Sequence, residues 1–205
     1  MRQWIVLVIL GFTANGFAQK LPDKHLPLPI VRQATDYSCG AAALLSVLTY
    51  WGVSEDAESD LYEDLGTTPE NGTHPSKISE VAKNHNLQAR IQERTTFLEL
   101  KAALAEGATV ILDIQAWRDD PKIPWKDTWE AGHYVNLVGL DNKFIYVMDP
   151  SVGSGYAYLP INEFFERWHD YEIENGKRRE YKNLMIYIKG QNPLTKYPEN
   201  LIRLN

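Results

Sequence analysis

The chain is 205 residues long, 44% hydrophobic and 11% aromatic, enough for one substantial core but not comfortably for two. Its net charge of −6, with no Lys/Arg run longer than Lys177-Arg178-Arg179, argues against nucleic acid as a partner, and that short cluster reads as a solvated loop. The five histidines form no ligand-spaced pair with the single cysteine, Cys39, so no metal and no cofactor is expected.

In chain order, the first segment reads as a signal rather than as part of a fold. Arg2 supplies a positive start, Trp4 to Phe12 is one apolar run, and Gly16-Phe17-Ala18 has small residues where a signal peptidase needs them. Residues 1–18 are therefore expected to be a secretory signal peptide cut before Gln19, leaving 19–205 as a single domain. The apolar run is shorter than the ~20 residues that cross a bilayer, so no stable membrane span is expected. No cysteine follows it to carry a lipid anchor. The protein is expected to be exported, either periplasmic or released. In an oxidising compartment one unpaired thiol is a liability unless its chemistry is used.

Lys20 to Ile30, with Pro22, Pro27 and Pro29, must be extended or irregular and is expected to run over the domain surface towards Gln33. Ala41, Leu44, Leu45 and Leu48 then follow helical spacing, with Ser38 as a candidate N-cap and Gly52 as a C′ stop. Cys39 falls in the first turn of that helix. There, unpaired N–H groups and the helix dipole favour the thiolate and pull the pKa below its free value of about 8.5. An acidic segment follows, Glu55 to Asp64, anchored by Leu61 and Leu65. Asn71-Gly72 marks a turn, and Thr73 or Ser76 is expected to cap a helix running to about Asn84. Gln88 to Gln92 reads as a short strand. Thr96-Phe97-Leu98-Glu99 is a capping box for a helix that stops at Gly107.

Ala108 to Ile114 reads as a central strand. A loop from Arg118 to Gly132, rich in charge, proline and tryptophan, leads to strands at His133 to Leu140 and Phe144 to Asp149. A turn-rich piece (Pro150 to Gly155), a helix near Asn162 to Trp168 and a strand at Leu184 to Ile188 complete the elements. Helices first, then a mostly antiparallel sheet, is an α+β arrangement.

His133 and Asp149 would sit at the open end of one hairpin. Their side chains share a face only if the connection is odd in length, for instance Asp141-Asn142-Lys143, which sets Asp149 opposite Val135. The carboxylate can then bond one imidazole nitrogen and leave the other for the thiol. A cysteine nucleophile needs a base within about 3 Å and a group that orients the base. Gln33 can add a side-chain N–H to that of the Cys39 backbone as an oxyanion donor, worth about 10²–10³ in rate. Singly, each residue has a structural explanation; jointly they form a nucleophile–base–orienter set.

The pattern Gln-x5-Cys-Gly-Ala-Ala, then Gly72-Thr73 before a helix, then Gly-His-Tyr-Val and Asp149-Pro150, resembles the C39 peptidase family. These are papain-like cysteine peptidases best known as N-terminal domains of bacteriocin-exporting ABC transporters. The likeness runs from about Ile30 to Trp168. It implies a papain-like fold with N-terminal helices packed on the sheet. It also implies Cys39 as nucleophile, His133 as general base and acid, Asp149 as its orienter and Gln33 as oxyanion donor.

Ser38 stands where the family often has Asp. No transmembrane helices or phosphate-binding loop follow, so double-glycine leader specificity is not carried over. The reaction implied is hydrolysis of a peptide or isopeptide bond in a peptide or protein substrate. Acyl transfer to an amine at the same site, or a silent peptide-binding module linked to an export system, are the other readings. Of the Trp117, Trp125 and Trp129 loop, Trp125 and Trp129 are the candidate substrate-binding rings, together with Gly132 before the histidine.

Overall fold

The structure is a computed structural model that describes residues 19–53, 57–174, 176–197 and 201–203. The expected signal peptide lies outside the described residues. In chain order the elements begin with helix α1 (Cys39–Tyr50), a 3-10 turn at Glu58–Leu61, the short α2 (Tyr62–Leu65) and α3 (Pro75–Asn84). Strand β1 (Gln88–Gln92), helix α4 (Phe97–Ala105) and strands β2 (Thr109–Gln115), β3 (Gly132–Leu140), β4 (Phe144–Met148) and β5 (Tyr156–Pro160) follow. The chain continues through α5 (Ile161–Arg167), β6 (His169–Glu174), β7 (Lys177–Lys182), β8 (Met185–Lys189) and β9 (Leu201–Arg203).

Seven strands form one sheet in the order β1-β8-β2-β3-β4-β5-β9, antiparallel except for the last pair, while β6 and β7 pair separately as a hairpin. Side chains alternate across the sheet and build two cores. One packs Ile111, Val138, Tyr146 and Ile186 against Leu44, Val47 and Leu48 of α1 and Ile78 and Val81 of α3. The other packs Leu112, Val135, Val147 and Leu159 against Leu100 of α4 and Phe164 and Trp168 nearby. Helix α1 is buried along nearly its whole length, as its Ala- and Leu-rich sequence requires. The side-chain amide of Asn136 on β3 donates to the Ala43 carbonyl across that interface, at 2.9 Å.

Several local expectations change. Ser38 occupies the N-cap position, but its hydroxyl bonds the backbone of Thr35 and caps nothing in the helix. Helix α3 is capped by neither Thr73 nor Ser76. His74 does it, its Nδ1 accepting from the Ser76 N–H at 3.2 Å, with Pro75 at the first helical position. The capping box of α4 forms between Thr96 and Glu99, and Gly52 stands just past α1 with φ +66°.

The proline-rich stretch is not a surface strap throughout. Leu28 is fully buried, the Leu26 N–H bonds the Val138 carbonyl, and the Pro29 carbonyl accepts from Ser46 Oγ. Lys177-Arg178-Arg179 belongs to strand β7, not to a loop. Its hairpin with β6, and strands β5 and β9, are additions to the expected elements.

Candidate active site

Three of the four expected catalytic residues meet where the N-terminus of α1 abuts the start of β3. Cys39 opens α1. The glycine after it is required by crowding, since a Cβ on Gly40 would come within 2.7 Å of the Thr73 Cβ and 3.1 Å of the Tyr134 ring. Thr73 is held there by the Tyr134 hydroxyl, which donates to its carbonyl at 3.0 Å.

The hairpin that carries His133 and Asp149 reaches the expected register by an unexpected route. Asn136 pairs with Met148 and Leu137 with Val147, so continuing by one residue sets Val135 beside Asp149. Nearer the turn, however, Gly139 pairs with Tyr146 and Leu140 with Ile145, one residue out of step, and a bulge at Val138 absorbs the difference. Without that bulge the connection would turn Asp149 to the opposite face from His133.

His133 is buried, and its Nε2 lies 2.7 Å from Asp149 Oδ1. The same oxygen accepts from the Ser151 N–H at 2.8 Å and the Ser151 hydroxyl at 2.7 Å. With Nε2 committed, Nδ1 is the nitrogen left for the thiol. Burial alone would lower the His133 pKa, but hydrogen bonds to Asp149 and Cys39 and their charges outweigh it and push the value up to about 10. Burial likewise works against the Cys39 thiolate. The hydrogen bond to His133, its positive charge and the backbone N–H groups of Tyr134 and Gly40 win, and the thiol pKa falls below its ordinary value. For Asp149 burial is again opposed by the imidazole and by Ser151, and the carboxyl sits below its ordinary range. All three shifts favour one state, a thiolate–imidazolium pair backed by a carboxylate.

Gln33 is tied to the Asp149 end of the site, its N–H bonding the Pro150 carbonyl at 2.9 Å. Its side-chain Nε2 donates to the Thr35 carbonyl at 2.6 Å, while the buried Oε1 accepts no hydrogen bond. One of the two Nε2 hydrogens is thus spoken for and the other is available.

Trp129 and Gly132 line the cleft that contains Cys39. Trp129 packs on the His169 ring with centroids 4.3 Å apart. Trp125 does not line that cleft. It is buried, with the guanidinium of Arg167 3.5 Å and that of Arg118 4.4 Å from its ring centre, and anchors the loop instead. The ring beside His133 is Trp117, half exposed, its centroid 4.8 Å from that of the imidazole.

Acidic residues of the cleft were also not singled out from the sequence: Asp113 on β2 and Asp170 and Glu172 on β6. A signal for the first existed, a lone carboxyl inside the apolar run Ala108 to Ile114. The others belong to a hairpin that the charge-rich sequence concealed.

The solved structures that this fold is similar to include peptidase domains. The peptidase domain of Streptococcus ComA, a bi-functional ABC transporter in a quorum-sensing pathway, matches with a TM-score of 0.57 at 20% identity, covering 78% of this chain and 97% of that one. A putative C39-like peptidase from Bacillus anthracis matches with a TM-score of 0.57 at 17% identity, over 82% of this chain and 98% of that one. A double-glycine motif protease from an AMS/PCAT transporter, in complex with the leader peptide, gives 0.54 at 19% identity, over 82% and 96%. Among curated proteins none matches significantly. The family model described as the Peptidase_C39 like family matches residues 25–174. That span contains Gln33, Cys39, His133 and Asp149 and most of the described fold, and the chain belongs to the Peptidase_C39 like family.

Proposed function

We propose that the protein is an exported cysteine peptidase that hydrolyses a peptide or isopeptide bond through a thioester on Cys39. The observation that carries this reading is the buried 2.7 Å contact between His133 Nε2 and Asp149, which leaves Nδ1 of a raised-pKa imidazole for a depressed-pKa thiol. The Cys39 thiolate attacks the carbonyl carbon, and the carbonyl oxygen takes the negative charge. The free Nε2 hydrogen of Gln33 and the Cys39 backbone N–H are the donors for that oxyanion. As the tetrahedral adduct collapses, the C–N bond breaks and the His133 imidazolium gives its proton to the departing amine. Neutral His133 then takes a proton from water, whose oxygen attacks the thioester. Release of the carboxylic acid restores thiolate and imidazolium.

Asp149 keeps the imidazole in the orientation that presents Nδ1 and stabilises its charge, and the Trp117 ring covers the pair on one side. A module that only bound peptides would have no use for a depressed thiol, a raised imidazole and a buried carboxylate in one line. Export rests on the signal-like residues 1–18 and on the unpaired thiol, which such a site puts to use.

Digestion of a proteome-derived peptide library with the mature protein tests the reading. New termini are expected with the wild type and none with Cys39→Ala. Products joined to an added amine in place of free carboxyl termini would assign acyl transfer instead. The absence of any Cys39-dependent product would contradict the peptidase reading.

A further inference from the structure

The cleft beside Cys39 is unusual in its charge. It encloses about 380 Å³, within the range of ligand pockets, and its lining carries six carboxyl side chains: Asp36, Glu70, Asp113, Glu130, Asp170 and Glu172. Among the described residues the lining includes no Lys, Arg or His. Asp36, Glu70 and Glu130 are exposed at the rim, whereas Asp113 is 2% exposed and Asp170 and Glu172 are half-buried.

The inner acids are held by neutral donors. Tyr181 donates its hydroxyl to Asp113 Oδ2 at 2.6 Å, and the Gln115 amide donates to Asp170 Oδ1 at 3.0 Å. Asp170 Oδ2 lies against Gly132, within 1.8 Å of where a Cβ would stand. The other oxygen of Asp113, Oδ1, is buried and receives no N–H or O–H from the protein; its neighbour is the carboxyl of Asp170, with which it can share one proton. Arg178 lies behind two rings of the lining, Tyr171 and Trp129, and pairs with Glu180 at 3.1 Å, so its charge reaches Asp170 only from a distance. Burying carboxyls with no cation in hydrogen-bonding contact costs stability, and an amide or apolar residue would avoid that cost. The arrangement fits a ligand that brings the missing positive charge. Among the described residues, no group of three or more such side chains is arranged to hold a metal ion, which leaves an organic cation.

We propose that this cleft is a specificity pocket for a cationic side chain. A Lys or Arg of the substrate, within about two residues of the scissile bond, places its ammonium or guanidinium group between Asp113, Asp170 and Glu172. The inference rests on the peptidase reading, because it makes the occupant a residue of the peptide whose carbonyl Cys39 attacks. In the empty cleft the acids hold protons that the ligand would replace. Burial, reinforced by Asp170, raises Asp113 well above its ordinary value. Burial raises Asp170 to about 6, against hydrogen bonds from Tyr171 and Gln115 and the charge of Arg178. Glu172 rises to about 7 through burial and the nearby Asp170 and Glu174. The Cys39 thiolate on α1 and the Tyr134 and Tyr181 hydroxyls on β3 and β7 complete the facing groups. Preference for a basic residue should therefore strengthen as pH rises through about 6 to 7.

The test needs no known substrate. Cys39 is reacted at pH 7.5 and physiological salt with 2-aminoethyl, methyl and 2-sulfonatoethyl methanethiosulfonate. Each reagent forms a mixed disulfide with the thiolate and releases methanesulfinate. The ratio of cationic to anionic rates, divided by the same ratio for a small free thiol, is expected to be about 10 or more, as a one-signed cleft concentrates counter-ions. It should fall towards 1 in Asp170→Asn/Glu172→Gln. It should persist in Glu63→Gln/Asp64→Asn, which removes the same charge from the exposed side of α2. A wild-type ratio near 1, or an equal fall in both double variants, would overturn the pocket while leaving the nucleophile intact. No reaction with any of the three reagents would overturn the nucleophile and the pocket together.

Discussion

At the scale of single residues, the chemistry hangs on which hydrogens and charges are already committed. His133 gives Nε2 to Asp149 and keeps Nδ1 for sulfur, and Gln33 gives one amide hydrogen to Thr35 and keeps one in reserve. The two residues therefore fail in different ways. Gln33→Ala should lower kcat by about 10²–10³, the usual cost of one oxyanion donor, and leave the rate of thiol alkylation unchanged, because the ion pair does not depend on it. Equal losses in both measurements would place Gln33 in support of the pair rather than on the oxyanion. These proposed catalytic residues could be singled out from the sequence because each sits in a short motif whose meaning is local: a helix start, a strand start, a strand end. Trp117 was not separable from Trp125 and Trp129 in the same way. Which ring reaches His133 depends on how the loop is pinned, and the pins are distant: Arg167 on Trp125 and His169 on Trp129.

The elements that hold the site are linked by close approach. Gln115 is the main tie, accepting from the Ala131 N–H at 3.0 Å and donating to both the His169 carbonyl and Asp170. Gly132 sits where β3 and β6 nearly touch, and an added Cβ would have to displace the Asp170 carboxyl. Gly132→Ala should therefore destabilise the fold by about 1–3 kcal/mol, as overpacking does, and loosen the β6–β7 hairpin first. A melting temperature equal to wild type, with hairpin amides as protected from exchange as before, would contradict this contact.

That hairpin shows where sequence reading ran out. Its strands bury little on either face, so the alternation that marks β2 and β3 is weak, and charge dominates. The Asn175-Gly176 pair, a strong hairpin signal, was the available clue. The bulge at Val138 had one weak clue, the isolated Gly139 beside it in the strand pattern, where Pro22 and Leu26 approach closely. The α4 capping box, by contrast, is a contact within four residues and was readable outright.

For the whole molecule, the acids of the cleft and His133 make stability depend on pH. Asp113, Asp170 and Glu172 have folded pKa values above their unfolded ones, so the native state binds extra protons between about pH 4 and 7. Their stabilising share is fully present below the unfolded value of about 4 and is lost as pH rises through the folded values. His133 acts in the same direction at higher pH, its contribution present below about 6.5 and lost on approach to about 10. Asp149 acts oppositely at the acid end; His169, lowered by burial, opposes the acids just below neutrality, and the lowered Cys39 thiol offsets its partner His133 at higher pH.

The empty protein should thus melt at a higher temperature at pH 5 than at pH 8, and Asp170→Asn should flatten that difference. A melting temperature that rises from pH 5 to 8 would contradict the burial of these acids. Such behaviour was not readable from a net charge of −6, which counts carboxyls without saying which are buried together.

The central claim is that Cys39 and His133 form an ion pair, and the pH dependence of iodoacetamide alkylation tests it most directly. Between pH 4 and 10, wild-type protein should react at a rate that persists well below pH 8, with the thiolate held by an imidazolium that survives to about pH 10. His133→Ala should lose that acid-side reactivity and follow an ordinary thiol of pKa about 8.5. A wild-type profile that already follows an ordinary thiol, or one that His133→Ala leaves unchanged, would contradict the account.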